Sequence, residues 1–348
     1  MNKKQFTKEI GGKTLTLEVS SFAEQANAAV LARYGETVVL GTAVMGKQDS
    51  PADYLPLRVD YEERFYAAGK IIGSRFIRRE GRPSEEAILT GRLIDRTLRP
   101  LFNQNIRRDI QVVATVLSYD GENEPDFVGL AAASAALAMS DIPWGGPVGG
   151  VRVAKIGDRM VVSPTNSEMK AGELSFETFA AGPAERINMI ELAGEEAKEE
   201  NIIEAFDIAQ KELNGLVDFI NQVVKEIGKP KTEVNMFEPD ADLRAKVEEF
   251  LAPRLEEAIY NPEKTVHENN LAKLKNELIE HVKANFENPD LKVAEFLYEE
   301  AIDKAVHKNI LEKEQRPDLR KVDQVRELKG EVGLFSRTHG SAFFARGT

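Results

Sequence analysis

Between Glu62 and Arg108 eleven Lys/Arg stand against six Asp/Glu, a local net of +5, in a chain whose 46 basic and 58 acidic residues leave −12 overall. A basic island in an acidic protein is a candidate anion site, because the surrounding field repels anions elsewhere. Its first half reads as a loop. Gly69, Gly73 and Gly81 supply backbone freedom, and Arg75, Phe76, Ile77, Arg78 and Arg79 interleave a ring, an aliphatic group and guanidiniums. That mixture suits a single-stranded nucleic acid, since arginines meet phosphates and a ring stacks on a base of any identity. Pro83–Ser84 then opens a helix, with Ser84 as N-cap and Glu85 and Glu86 at its positive end. Arg92, Arg96 and Arg99 follow at i, i+4 and i+7 on one face, with Leu89, Leu93, Ile94 and Leu101 expected to pack on the other flank. Asp95 can pair with Arg99, which leaves Arg92 and Arg96 without a local partner. Such a ridge is either a solvated or subunit-contacting face or a phosphate contact; the neighbouring loop favours the second.

Other titratable groups look structural. Zero cysteines exclude disulfides, thiolate nucleophiles and cysteine-ligated zinc. His267, His281 and His307 have no convergent carboxylate pattern, so no metal ligand is assigned, and His339 reads as structural. The run YDGENEPD around Asp120–Asp126 lacks calcium-loop spacing and reads as a capped turn. Tyr61, Glu62, Glu63 and Arg64 read as the end of a strand.

The elements that must position these residues fall into three zones. The first, Phe6 to Gly228, alternates strands and helices. KTLTLEVSSF, QANAAVLARYGETVVLGTAV with a turn at Gly35–Glu36, YLPLRVDYEERF and Ile110–Tyr119 are rich in β-branched residues. Asp126 is expected to cap an alanine-rich core helix in which Gly129 allows close packing. Ile142–Gly150 lacks the GxxxxGK[ST] pattern of a phosphate loop and reads as a hinge. Strands are expected near Val151–Ala154, Met160–Ser163, Leu174–Ala180 and Ile187–Leu192, and an amphipathic helix over Glu199–Gly228, broken near Gly215. The second zone carries an acidic excess of seven over residues 231–316. It shows three helical patterns, Asp240–Tyr260, Thr265–Phe286 and Leu291–Leu311. That charge argues for a helical linker ahead of a direct RNA contact. In the third, Gly330–Thr348 sets up a strand, and Ala342–Gly347 overlays Val30–Gly35, as though a second copy of the first core begins here. A length of 348 residues with 42% hydrophobic content suits two or three domains. No apolar run spans a membrane and Met1–Gly12 has no signal-peptide core, so the expectation is a cytoplasmic protein with no membrane partner.

The runs Ala67–Glu85, Arg92–Phe102 and Arg316–Gly347 resemble polynucleotide phosphorylases, in order and spacing along essentially the whole chain. The resemblance implies an α/β fold, a mixed-sheet (α+β) ribonuclease PH-like core followed by an all-α helical domain. The first and second halves of the core would cover 1–145 and 146–228, the helical linker domain 229–315, and a truncated start of a second core 316–348. It implies 3′-to-5′ phosphorolytic degradation of RNA to nucleoside diphosphates, with inorganic phosphate as co-substrate. It also implies Mg2+, a homotrimer when full length, and RNA-degradation complex partners. In the family a constriction of two rings and two basic residues grips RNA; Phe76, Ile77, Arg78 and Arg79 stand in that place, with Ile77 replacing a ring and Arg75 as an extra residue. Arg92 and Arg96 match the arginines that the first core lends to the active site. The family's catalytic groups and magnesium ligands belong to the second core, expected beyond Thr348, so no catalytic residue is assigned to this chain and the fragment alone is expected to be inactive. The alternative is a non-catalytic ribonuclease PH-like subunit that lines an RNA channel or serves assembly.

Overall fold

The computed structural model describes residues 3–52, 54–71, 73–74 and 81–347. They fall into two compact units, 1–237 and 238–348.

The first unit holds two sheets. Strands β1 (Lys4–Ile10), β2 (Lys13–Val19), β3 (Ala28–Tyr34), β4 (Thr37–Asp49), β5 (Leu57–Glu62) and β6 (Arg108–Ser118) form a mixed sheet in the order β1-β2-β3-β4-β6-β5. Every pairing is antiparallel except β5 with β6, where Leu57 faces Ile110 and Glu62 faces Thr115. Alternation sets the faces: Leu15 and Leu17, then Val30, Ala32 and Tyr34, point inward and are buried. Helix α1 (Glu85–Leu98) lies against β5, and α2 (Pro125–Met139) packs on β3, β4 and β6. The second sheet, order β10-β9-β7-β8, comprises β7 (Gly149–Ile156), β8 (Arg159–Val162), β9 (Leu174–Gly182) and β10 (Met189–Gly194). The six-residue α3 (Asn166–Ala171) follows β8, and α4 (Glu199–Ile227) covers β7 and β9. Because α2 also touches β7 and α4, it is wrapped on all sides, and its residues from Asp126 to Met139 are buried.

Several local expectations change here. Helix α2 starts at Pro125 behind Glu124, which makes no side-chain cap. Asp126 sits in the first turn, where its Oδ1 accepts from Phe127 N and its Oδ2 pairs with Arg152 of β7. Proline at the first helical position pre-sets φ and takes over the helix start. The residue that permits close approach to the sheet is Gly41 of β4, whose ideal Cβ would lie 2.6 Å from Ala132 C, whereas one on Gly129 would meet only ordinary contacts from 3.4 Å. Residues 142–150 are no loose hinge. Ile142, Trp144 and Val148 are buried, Trp144 Nε1 donates to Leu98 O at 3.1 Å, and Gly149 and Gly150 already belong to β7. Helix α4 runs unbroken through Gly215. Buried Leu213, Leu216, Val217 and Ile220 on either side outweigh the roughly 1 kcal/mol a helical glycine costs. Beyond α4, residues 229–237 run back over the same unit: Lys231 Nζ donates to the carbonyls of Leu137, Ala138 and Ser140 at the end of α2.

The second unit is helical, as expected, with its own core of Val247, Leu251, Ile259, Leu278, Val282 and Tyr298. The first pattern splits into α5 (Ala241–Leu251), capped by Asp240, and α6 (Leu255–Ile259). Pro253 lies between them and cannot donate to the preceding turn. Helices α7 (Lys264–Asn285) and α8 (Leu291–Lys313) complete it. A hairpin of β11 (Leu328–Val332) and β12 (Ala342–Arg346) follows. A glycine with positive φ follows β12 as one follows β3, 69° at Gly347 and 61° at Gly35.

Candidate nucleic-acid interface

Helix α1 is fixed at both ends. Ser84 Oγ accepts from Ala87 N at 3.0 Å and donates to Glu63 Oε2 at 2.8 Å, tying the helix start to the chain just after β5. At the other end Arg99 grips Asp95 bidentately, at 2.9 and 2.7 Å, and its Nη2 also donates to Leu57 O at 3.0 Å. The inner face buries Ala87, Leu93, Ile94, Thr97 and Leu98. Leu101 is partly buried against the core, but Leu89 is 59% exposed and Ile88 52%. The apolar flank is therefore narrower than expected: β5 is an edge strand, and only the side of α1 turned toward it is covered.

The structure divides the basic island into engaged and uncommitted cations. Arg64 pairs with Glu62 and Arg108 with Asp49. Arg107, nearly buried, donates to Gln104 O and Ile106 O and lies 4.9 Å from the centre of the Phe237 ring. Together with Arg99, these explain four of the eleven cations as structural. Arg92 and Arg96 are exposed, and neither has a carboxylate partner among the described residues; the same holds of Lys70 and Arg82. Arg92 borders a cleft of about 390 Å3 between α1 and β5, whose other walls include Arg58, Asp60, Tyr61 and Ile88. Two guanidiniums one turn apart, unpaired and held on a helix anchored at both ends, make a preorganised positive clamp for an anionic group. Phe76, Ile77, Arg78 and Arg79 lie outside the described residues.

The remaining groups play structural parts. Asp120 Oδ1 accepts from the amides of Glu122 and Asn123, and Oδ2 from Glu36 N and Asn123 Nδ2. Burial opposes its charge, but these hydrogen bonds outweigh burial and hold its carboxyl down to about 2. His281 stacks on Phe250 with ring centres 4.6 Å apart, and His307 lies beside Asp303 on the same helix. Among the described residues no group of three or more His, Asp or Glu converges to hold a metal ion. A larger cavity, about 660 Å3, opens where β5 ends and α1 begins, bounded by Tyr61, Tyr119 and Glu124 among others. The sequence gives no sign of it, because its walls come from four separated segments.

Residues 11–143 match the 3′ exoribonuclease family, domain 1, and residues 146–212 its domain 2. Residues 242–321 match the polyribonucleotide nucleotidyltransferase RNA binding domain. The polyribonucleotide nucleotidyltransferase of Heliobacterium modesticaldum is 43% identical over 345 residues, 98% of this chain and 48% of its own length. That of Thermomicrobium roseum is 44% identical over 349 residues, 97% of this chain and 44% of its own length. That of Bacillus subtilis is 40% identical over 347 residues, with coverage of 98% and 48%.

The chain belongs to the polyribonucleotide nucleotidyltransferase family. It spans about half the length of the curated relatives it matches. The family places the two-sheet unit and the helical unit in the order found here, core first and helices after. No helix among the described residues is long and apolar enough to cross a membrane.

Proposed function

We propose that this chain is the RNA- and phosphate-gripping part of a phosphorolytic 3′-to-5′ exoribonuclease. The observation that carries this is the pair Arg92 and Arg96, exposed and unpaired on an anchored helix while Arg99 beside them is neutralised by Asp95. In the reaction, an oxygen of inorganic phosphate attacks the phosphorus of the 3′-terminal linkage in line. The bond to the 3′ oxygen of the preceding nucleotide breaks, and a nucleoside diphosphate leaves. Charge neutralisation and alignment matter more here than a strong nucleophile. Arg92 and Arg96 hold the attacking phosphate or the scissile linkage, and Phe76, Ile77, Arg78 and Arg79 hold the single strand by stacking and phosphate contacts. The helical unit adds RNA contact, in keeping with the description of the domain it matches. Magnesium and the groups that complete catalysis are assigned to the part of the relatives that this chain does not span. The complete protein is a cytoplasmic homotrimer that works in mRNA degradation, with partners in an RNA-degradation complex.

The test is phosphate-dependent release of ADP from 5′-labelled oligo(A) with magnesium, using the 348-residue chain. Retained RNA binding without ADP is expected. Release of ADP would place a working site in the first core and overturn the division of labour.

A further inference from the structure

A strand at the edge of a sheet leaves half of its backbone N–H and C=O groups unpaired, and soluble proteins blunt such edges with lysines, shortness or a covering group. The outer strands of the first unit are β1 and β5 in one sheet, β8 and β10 in the other. β1 carries Lys4 and Lys8, β8 has four residues, and on β5 the carbonyl of Leu57 is taken by Arg99 Nη2 at 3.0 Å. β10 has six residues, Met-Ile-Glu-Leu-Ala-Gly, and no lysine. It is held in place at both ends. Asn188 Nδ2, just before it, donates to Thr97 O of α1 at 3.1 Å, and Glu195 N, just after it, donates to Ser175 O at 3.0 Å.

The register assigns the free groups. In an antiparallel ladder every second residue turns both backbone groups to its partner strand. Glu195 makes such a pair with Ser175, and Met189↔Ala181, Glu191↔Phe179 and Ala193↔Glu177 continue it. The N–H and C=O of Ile190 and Leu192 therefore point away from β9, and among the described residues no other strand pairs with them. The side chains of Ile190 and Leu192 are 46% and 41% exposed. They stand opposite Ala180 and Thr178, on the sheet face where Ala180 packs with Ala205 and Ala209 of α4, so apolar surface flanks the free edge. Charge selects the occupant. From Glu191 to Glu204 six exposed carboxylates, those of Glu191, Glu195, Glu196, Glu199, Glu200 and Glu204, stand against Lys198 alone. That field repels an RNA strand, and it repels the same edge of a second copy, whereas it attracts a basic segment.

We propose that the free edge of β10 docks an extended segment of another protein, one that alternates lysine or arginine with apolar residues and adds to the second sheet through the backbone of Ile190 and Leu192. The probe is a capped peptide of alternating lysine and valine, titrated onto the chain. Saturable binding is expected, and the amides of Ile190 and Leu192, read singly by hydrogen exchange, should gain protection as the peptide saturates. Leu192→Pro removes one edge donor and no ladder bond to β9. It should weaken the peptide about five- to tenfold, the worth of one backbone hydrogen bond. Glu195→Gln with Glu196→Gln and Glu199→Gln should weaken it too and flatten its salt dependence, and a peptide of alternating glutamate and valine should not bind. Arg92→Ala with Arg96→Ala should leave peptide affinity unchanged, because the edge and the phosphate clamp are separate proposals. No saturable binding, no gain in protection at Ile190 and Leu192, or full affinity in a folded Leu192→Pro variant overturns the proposal. Displacement of the peptide by oligo(A) would give the edge to RNA, and a dimer of the chain abolished by Leu192→Pro would give it to a second copy; either result also overturns it.

Discussion

At the residue scale, the cations are distinguished by what already neutralises them. Asp95 with Arg99 is an i,i+4 pair visible in the sequence, and the structure adds the contact to Leu57 O that makes it an anchor. The ion group Arg152, Asp126 and Glu177 was not legible, because its members are brought together only when α2 meets the second sheet. Arg152→Met strips both carboxylates of their partner, and Asp126 is 8% exposed. The expected cost is about 3 kcal/mol, measured by urea unfolding. Asp120 makes a pH prediction. Its folded value lies below the usual carboxylate value of 3.8, so its contribution is present above pH 3.8 and is lost as pH falls through about 2. Asp120→Asn should cost about 1 kcal/mol near neutral pH, since a donor would then face the amides of Glu36 or Asn123. The difference in melting temperature between wild type and variant should shrink between pH 4 and 2.

At the element scale, periodicity placed most strands and helices, and the departures have local causes. Leu89 was expected inside because it is apolar, but α1 covers an edge strand with only one face. The helix expected to break at Gly215 runs through it, and the single pattern expected over Asp240–Tyr260 breaks at Pro253. The glycine is carried by packing on both sides, whereas the proline removes a donor that packing cannot replace. The glycines of the core offer a paired test. Gly41→Ala places a methyl 2.6 Å from the backbone of α2 and should destabilise by about 2 kcal/mol. Gly91→Ala meets nothing nearer than 3.6 Å and should stabilise α1 by up to about 1 kcal/mol through helix propensity. Thermal unfolding of the two variants should move in opposite directions.

At the scale of the whole molecule, the mixed-sheet core followed by an all-α region was legible from pattern and from the resemblance together. The wrapped position of α2 and the return of residues 229–237 over the core were not, because both depend on contacts between distant segments. The two units have separate cores, and the one tryptophan, Trp144, sits in the first. Leu278→Ala should therefore cost the helical unit about 3 kcal/mol. Helical circular dichroism should show that loss at lower temperature, while the Trp144 fluorescence transition stays where it is.

Arg92 and Arg96, as phosphate contacts, carry the proposed function. The decisive measurement is the affinity of the chain for oligo(A) as a function of salt, for wild type and for Arg92→Ala with Arg96→Ala. Weaker binding in the variant, with the slope of log K against log salt flatter by about 1.4, corresponds to two lost single-strand phosphate contacts. Equal affinity and an equal slope would contradict the account and leave the ridge as a bare surface.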